Sequence, residues 1–129
     1  MNILLDTCTF LWIIEGSSKL SDNLRDIVTD PANSLTLSVV SVWEISVKNS
    51  LGKLPLPNPP HEFISRWRTM HGIESLPLRE SAVFHLSQLP PLHHDPFDRM
   101  LVCQALADNM VILTPDEHIS RYSAKTLWQ

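Results

Sequence analysis

The segment from Pro96 to Asn109 constrains the fold more than any other. Met100, Leu101, Val102, Cys103, Ala105, Leu106 and Ala107 make it apolar nearly all round, so a helix here must be enclosed by other elements and not laid on a surface. Its start is set by Asp95 directly before Pro96, an N-cap followed by proline at the first helical position, where the missing N–H costs nothing. Asn109 ends it. The mouth of this helix, Leu92-His93-His94-Asp95-Pro96-Phe97-Asp98-Arg99, gathers two imidazoles, two carboxylates and a guanidinium. Asp95 and Asp98 together can form a carboxylate version of a capping box at the positive end of the helix. Alternatively, one of them caps and the other is free for chemistry.

Two short apolar runs repeat one arrangement. Ile3-Leu4-Leu5 stops at Asp6-Thr7, and Val111-Ile112-Leu113 stops at Thr114-Pro115-Asp116. Continuous runs of this length read as strands buried on both faces of a parallel sheet, and ligands in such sheets gather beyond the carboxyl ends of the strands. A hydroxyl and a carboxylate stand at both ends. Asp6 can instead cap a helix from Phe10 to about Glu15, closed at Gly16, and Asp116 a short helix before Tyr122.

Between these runs, Ser21 opens a helical pattern through Leu24, Ile27 and Val28 that Asp30-Pro31-Ala32-Asn33 ends. Leu35 to Ser38 alternates like a strand, and Ser38 to Leu51 follows as a helix closed by Gly52. Val40, Trp43, Val47 and Leu51 share one stripe of that helix, expected to face the core. Glu44 lies on the flank of the stripe, a costly place for a carboxylate unless it is paired or metal-bound. An ion pair with Lys48 at i+4 is the plain alternative. Leu54 to Pro60 is a proline-rich surface connector. Helical patterns follow at His61 to His71 and Arg79 to Gln88, with a weak strand at Ile73 to Leu76 between them and a terminal edge strand at Thr126 to Trp128. His61, His71 and His85 have no ligand spacing with one another, and His93-His94-Asp95 are too close along the chain to direct both rings at one zinc ion.

A chain of 129 residues predicts one domain, 1–129, with a real core. No secretory signal is visible in Met1-Asn2-Ile3-Leu4-Leu5, and Cys8 and Cys103 both lie in apolar segments as expected of buried, reduced thiols, so a cytoplasmic protein is expected. Ten basic residues against 14 acidic ones give a formal charge of −4, which argues against a broad basic surface for passive nucleic-acid binding. It does not argue against a metal nuclease, since two divalent ions would cancel that sum.

Alternating strands and helices predict a three-layer α/β/α sandwich with a largely parallel central sheet. In it Asp6 and Asp116 project from strand ends, Asp98 from a helix N-terminus and Glu44 from a helix that follows a strand, so all four can meet in one crevice. Converging carboxylates repel, and an all-oxygen site implies Mg²⁺ or Mn²⁺. Such an ion polarises a phosphoryl oxygen and lowers the pKa of a bound water, which makes phosphodiester hydrolysis the natural chemistry.

These residues also carry a family resemblance. Ile3-Leu4-Leu5-Asp6-Thr7, Ser41-Val42-Trp43-Glu44-Ile45, the block from Leu89 to Leu101 around Asp-Pro-Phe-Asp-Arg, and Leu113-Thr114-Pro115-Asp116 together resemble a PIN domain, specifically a VapC-type ribonuclease toxin of a bacterial toxin–antitoxin pair. The resemblance runs in order from Asp6 to Asp116. It implies that Asp6, Glu44 and Asp98 form a metal-binding acidic core with Asp116 as the fourth member, and that Asp95 is the helix cap. It further implies an Mg²⁺- or Mn²⁺-dependent endoribonuclease, a homodimer when free, inhibited by a small antitoxin laid across the acidic crevice. His94 stands where many relatives have arginine, and Cys8 where His or Asn is common. Competing readings are a metal phosphatase, which would want a second aspartate at the Cys8 position, and a catalytically silent PIN-like binding or regulatory module.

Overall fold

The computed structural model describes residues 1–129. In chain order the elements are β1 (Asn2–Leu5), α1 (Thr7–Glu15), α2 (Asp22–Thr29), β2 (Ser34–Ser38), α3 (Val39–Ser50), α4 (Pro60–Met70), β3 (Glu74–Leu76), α5 (Glu80–Val83), a 3₁₀ turn (Phe84–Gln88), α6 (Pro96–Asp108), β4 (Val111–Leu113), α7 (Glu117–Ser120) and β5 (Thr126–Leu127). The five strands form one sheet in the order β3-β2-β1-β4-β5, with every pair parallel. Because β1 is central and β4 its neighbour, both apolar runs are covered on both faces. Leu5 pairs with Leu113 in register, so Asp6 and Thr114 leave the same edge of the sheet side by side.

Alternation along the strands divides the core into two layers. Ile3 and Leu5 turn with Leu113 toward Phe10 and Ile13 of α1, Leu24 of α2, Ile45 of α3 and Phe63 and Ile64 of α4. Leu4 and Ile112 turn the other way, toward Leu101, Val102 and Ala105 of α6, Ile119 of α7 and Tyr122. The three-layer α/β/α architecture is thus the one expected, with a sheet that is parallel throughout. Five consecutive residues of α6, Leu101 to Ala105, are buried, as a helix enclosed on all sides requires. The one polar member, Gln104, accepts a hydrogen bond from Ser38 Oγ at 2.5 Å and donates to the Pro77 carbonyl at 3.3 Å, tying α6 to the ends of β2 and β3.

Three expectations needed correction. The stripe Val40, Trp43, Val47, Leu51 is not the core face of α3: Trp43 is 58% and Leu51 62% exposed, while Val40, Ser41, Glu44 and Ile45 are buried. The inward face is rotated toward two polar residues because these have partners inside. The helix expected over Arg79 to Gln88 is split, with one α-helical turn followed by a 3₁₀ turn. Only Ala82 is buried there, and Pro90 forces Leu89 into an extended conformation that stops propagation. Cys8, expected to be buried like Cys103, is only partly so; both are free thiols.

Asp95 is the N-cap of α6, its Oδ1 accepting from the amides of Phe97 (2.9 Å) and Asp98 (3.1 Å). Asparagine caps as well as aspartate, whereas alanine does not. Urea unfolding is therefore expected to show Asp95→Asn close to wild type and Asp95→Ala about 1 kcal/mol less stable. A ligand role for Asp95 would instead show up as loss of metal binding in the asparagine variant.

Candidate metal centre

The carboxyl edge of the sheet collects the acidic residues through local structure that the sequence dictates. Asp6 follows the last residue of β1 and caps α1, its Oδ1 accepting from the Thr9 amide at 2.8 Å. Capping uses one oxygen. The other accepts from Thr114 Oγ1 at 2.5 Å, and that same hydroxyl oxygen accepts from the Asp116 amide at 3.0 Å. Thr114 thus fixes the Asp6 carboxylate against the loop that carries Asp116. Asp6 is 4% exposed and Glu44 5%, both far more buried than an unpartnered carboxylate tolerates.

Glu44 is satisfied at both oxygens. Oε1 accepts from Thr7 Oγ1 at 2.6 Å, with Ser41 Oγ 3.0 Å from that hydroxyl, and Oε2 accepts from Lys48 Nζ at 2.5 Å. The i+4 ion pair and the inward placement are both real. Lys48 is held more firmly protonated, first by its hydrogen bond to Glu44, with burial opposing and the charges of Glu44, Asp95 and Asp98 adding to the effect.

Asp98, in the first turn of α6, does not reach back to complete a capping box; its Oδ2 lies 2.9 Å from His93 Nε2. Burial pushes its carboxyl up to about 6; the His93 hydrogen bond pulls the other way, and the charges of Asp95, Glu44 and Asp116 push it further up. Asp116 caps α7 by accepting from the His118 amide at 2.8 Å, and the His118 ring stacks on that of His93 at 4.7 Å and 8°. One ligand atom each from His93, Asp98 and Asp116 lie within 4.8 Å of one another.

The structure therefore gathers Asp98, Asp116 and His93 at ligand spacing. Asp6 is joined to them through Thr114, and Glu44 is close enough for its charge to act on Asp98. His94 is exposed and Asp95 is spent on its cap, so the His93-His94-Asp95 trio does not converge. Three participants escaped the sequence reading: His93 as partner of Asp98, His118 as its stacking neighbour, and Thr114 as the link between the two strand ends. Only His118 left a trace, standing two residues after a capping aspartate, where its amide meets the cap. A concavity of about 220 Å³ lined by Ile13, Leu20, Arg25, Leu35 and His71 includes the first buried position of β2, at the end of the sheet away from Asp6. It has no bearing on the acidic centre.

The donor set suits a hard divalent cation. It offers carboxylate oxygens, with the His93 imidazole hydrogen-bonded to one of them, and the upward displacement of the Asp98 carboxyl is what burial beside uncompensated negative charge produces. Cys8 Sγ lies 3.4 Å from Asp6 Oδ1, but burial, and then the neighbouring Asp6 charge, push its thiol up to about 12, so no thiolate is available as a soft ligand. At pH 8 a disulfide reagent is expected to label native Cys8 far more slowly than an ordinary cysteine thiol, and both cysteines at once after unfolding. Fast labelling of the native chain would contradict that environment.

A parallel α/β/α sandwich with carboxylates gathered where β1 and β4 end defines the class: a fold with an acidic centre at the carboxyl edge of its sheet. The sequence matches the PIN domain family over residues 3–125, and the chain belongs to that family. It is similar to Ribonuclease VapC16 of Mycobacterium tuberculosis (strain ATCC 25618 / H37Rv), 48% identical over 40 residues, a match that takes in 31% of this chain and only 28% of that protein. In fold it is similar to a chain from VapBC2 of Rickettsia felis bound to a promoter DNA fragment, with a TM-score of 0.72, 15% identity and full coverage of both chains. A chain from DNA-bound VapBC of Salmonella typhimurium gives a TM-score of 0.67 at 15% identity, covering 98% of this chain and 97% of that one. At such identity the likeness is one of fold. No helix is long and apolar enough to cross a membrane.

Proposed function

We propose that residues 1–129 act as one domain, a metal-dependent endoribonuclease that serves as the toxin of a toxin–antitoxin pair. Asp6, Glu44, Asp98 and Asp116 form its metal centre, with Mg²⁺ or Mn²⁺ as the ion. The observation that carries this reading is the meeting of Asp98, Asp116 and His93 within 4.8 Å, beside the buried Asp6 and Glu44, at the edge where parallel sheets place ligands. Membership of the PIN family and the short match to a ribonuclease support RNA as substrate. Fold likeness to VapBC chains supports an antitoxin partner, and we extend the proposal to a homodimer working in the cytoplasm.

When bound, a divalent ion supplies charge at the phosphoryl oxygen and acidifies water. The chain's own residues do the rest. Asp6 and Asp98 would hold the ion, and Glu44 and Asp116 would orient a second ion or a water molecule. Thr114 aims Asp6 by donating to its Oδ2, and His93 aims Asp98 in the same way, with stacking on His118 limiting the ring's rotation. Oriented ligands of this kind are what outer-shell hydrogen bonds provide.

The test is cleavage of total RNA by the purified chain with Mg²⁺ or Mn²⁺, with chelator, and with Asp6→Asn checked for unchanged folding. Cleavage that requires the ion and Asp6 is expected. An ion-binding chain that cuts no RNA would favour the binding-module reading.

A further inference from the structure

Glu44 differs from the other three carboxylates in one respect: it alone carries an ammonium partner. Asp6 is held by an amide, a hydroxyl and a thiol, Asp98 by an imidazole and Asp116 by an amide. Arg99, the other cation at the mouth of α6, turns its guanidinium to the carbonyls of Pro90 and His93 and forms no ion pair. Lys48 is thus the one paired ammonium among these carboxylates, and the charges of Glu44, Asp95 and Asp98 bear on it. Both Glu44 oxygens have partners at 2.6 Å or less, and of the two the ammonium is the one free to leave. Thr7 is buried, whereas the Lys48 side chain is 46% exposed on a flexible stem with three rotatable donors.

We propose that Lys48 is the acidic centre's built-in counter-cation: it holds Glu44 while the centre is metal-free, yields that carboxylate to the divalent ion, and then offers its ammonium to the phosphate of bound RNA. The last step rests on the ribonuclease reading; the first two do not. An ordinary i,i+4 helix pair would add only a few tenths of a kcal/mol of helix stability and would have no competitor. Here the competitor is the ion itself. The same displacement answers how a chain of formal charge −4 meets a polyanion, because the ion and the released ammonium both present positive charge to the phosphate.

Calorimetric titration of the full chain with MnCl₂, without RNA, tests the competition. Removing a cation from within a few ångströms of the ion favours binding, so Lys48→Gln is expected to bind Mn²⁺ about fivefold tighter, the interaction being reduced by the exposure of the ammonium. Lys48→Arg, which keeps the charge, is expected near wild type. Thermal unfolding confirms that both variants are folded. Equal or weaker binding by Lys48→Gln would overturn the proposal and make Lys48 a support for Glu44. The phosphate contact is read from kcat/KM on single-stranded RNA against salt: losing one contact should make the logarithmic slope shallower by about 0.7, with KM raised. An unchanged slope would overturn that step. The calorimetric arm needs no cleavage, so it decides between Lys48 as competitor and Lys48 as support even if the chain cuts no RNA.

Discussion

Asp98→Asn is expected to abolish metal-dependent cleavage and, at the same time, to stabilise the metal-free protein. Outer-shell partners of metal ligands cost about 10–100-fold when removed, so loss of a ligand itself should exceed roughly 100-fold in rate. The gain in stability comes from the same burial. A carboxyl displaced from 3.8 to about 6 is one whose ionised form the fold disfavours. Its penalty is absent below about pH 4, grows as pH rises through 6, and is present in full at pH 7. That displacement corresponds to roughly 3 kcal/mol. The amide avoids the penalty but forfeits the charge-assisted bond to His93, leaving a net gain of about 1–2 kcal/mol and a melting point several degrees higher. A variant that loses cleavage and also melts lower would point to damage in the helix mouth.

The second large effect is stabilisation by the ion. A ligand that binds only the folded chain, present at a hundred times its dissociation constant, contributes about 2.7 kcal/mol, which for a chain of this size is a rise of roughly 8–16 °C in the melting point. Differential scanning calorimetry with and without Mn²⁺ at pH 7.5 should show it, and chelator should reverse it. Below pH 6 the ion must displace a proton from Asp98, so the stabilisation should shrink by about 1.4 kcal/mol per pH unit. A pH-independent shift would place the ion elsewhere on the protein.

Much of this fold is plain in the sequence. Ile3-Leu4-Leu5 and Val111-Ile112-Leu113 announce paired central strands, and the apolar circumference of α6 announces its enclosure, because burial on every side leaves no polar face to vary. Asp95-Pro96 and the left-handed Asn109 (φ 52°) mark both ends of that helix. The α3 stripe misled for a physical reason. Ser41 and Glu44 turn inward to meet Thr7, so the rule that apolar residues face the core fails where a polar network takes their place, as expected near a functional centre. What joins Asp6 to Thr114 is a hydrogen bond across 108 residues, and what sets His93 against His118 is the packing of two separate helix mouths. Neither has a local pattern. The candidate site was therefore legible as a set of isolated carboxylates in odd places, while the hydroxyls and imidazoles that aim them came only with the fold.

If Asp6, Glu44, Asp98 and Asp116 surround a divalent ion, anomalous diffraction from crystals soaked in Mn²⁺ will show it most directly. A peak within about 2.6 Å of carboxylate oxygens of Asp98 and at least one of Asp6, Glu44 and Asp116, absent from crystals of the Asp98→Asn variant, is the expected result. No peak at this edge of the sheet under saturating ion, or a peak that survives the substitution unchanged, would contradict it.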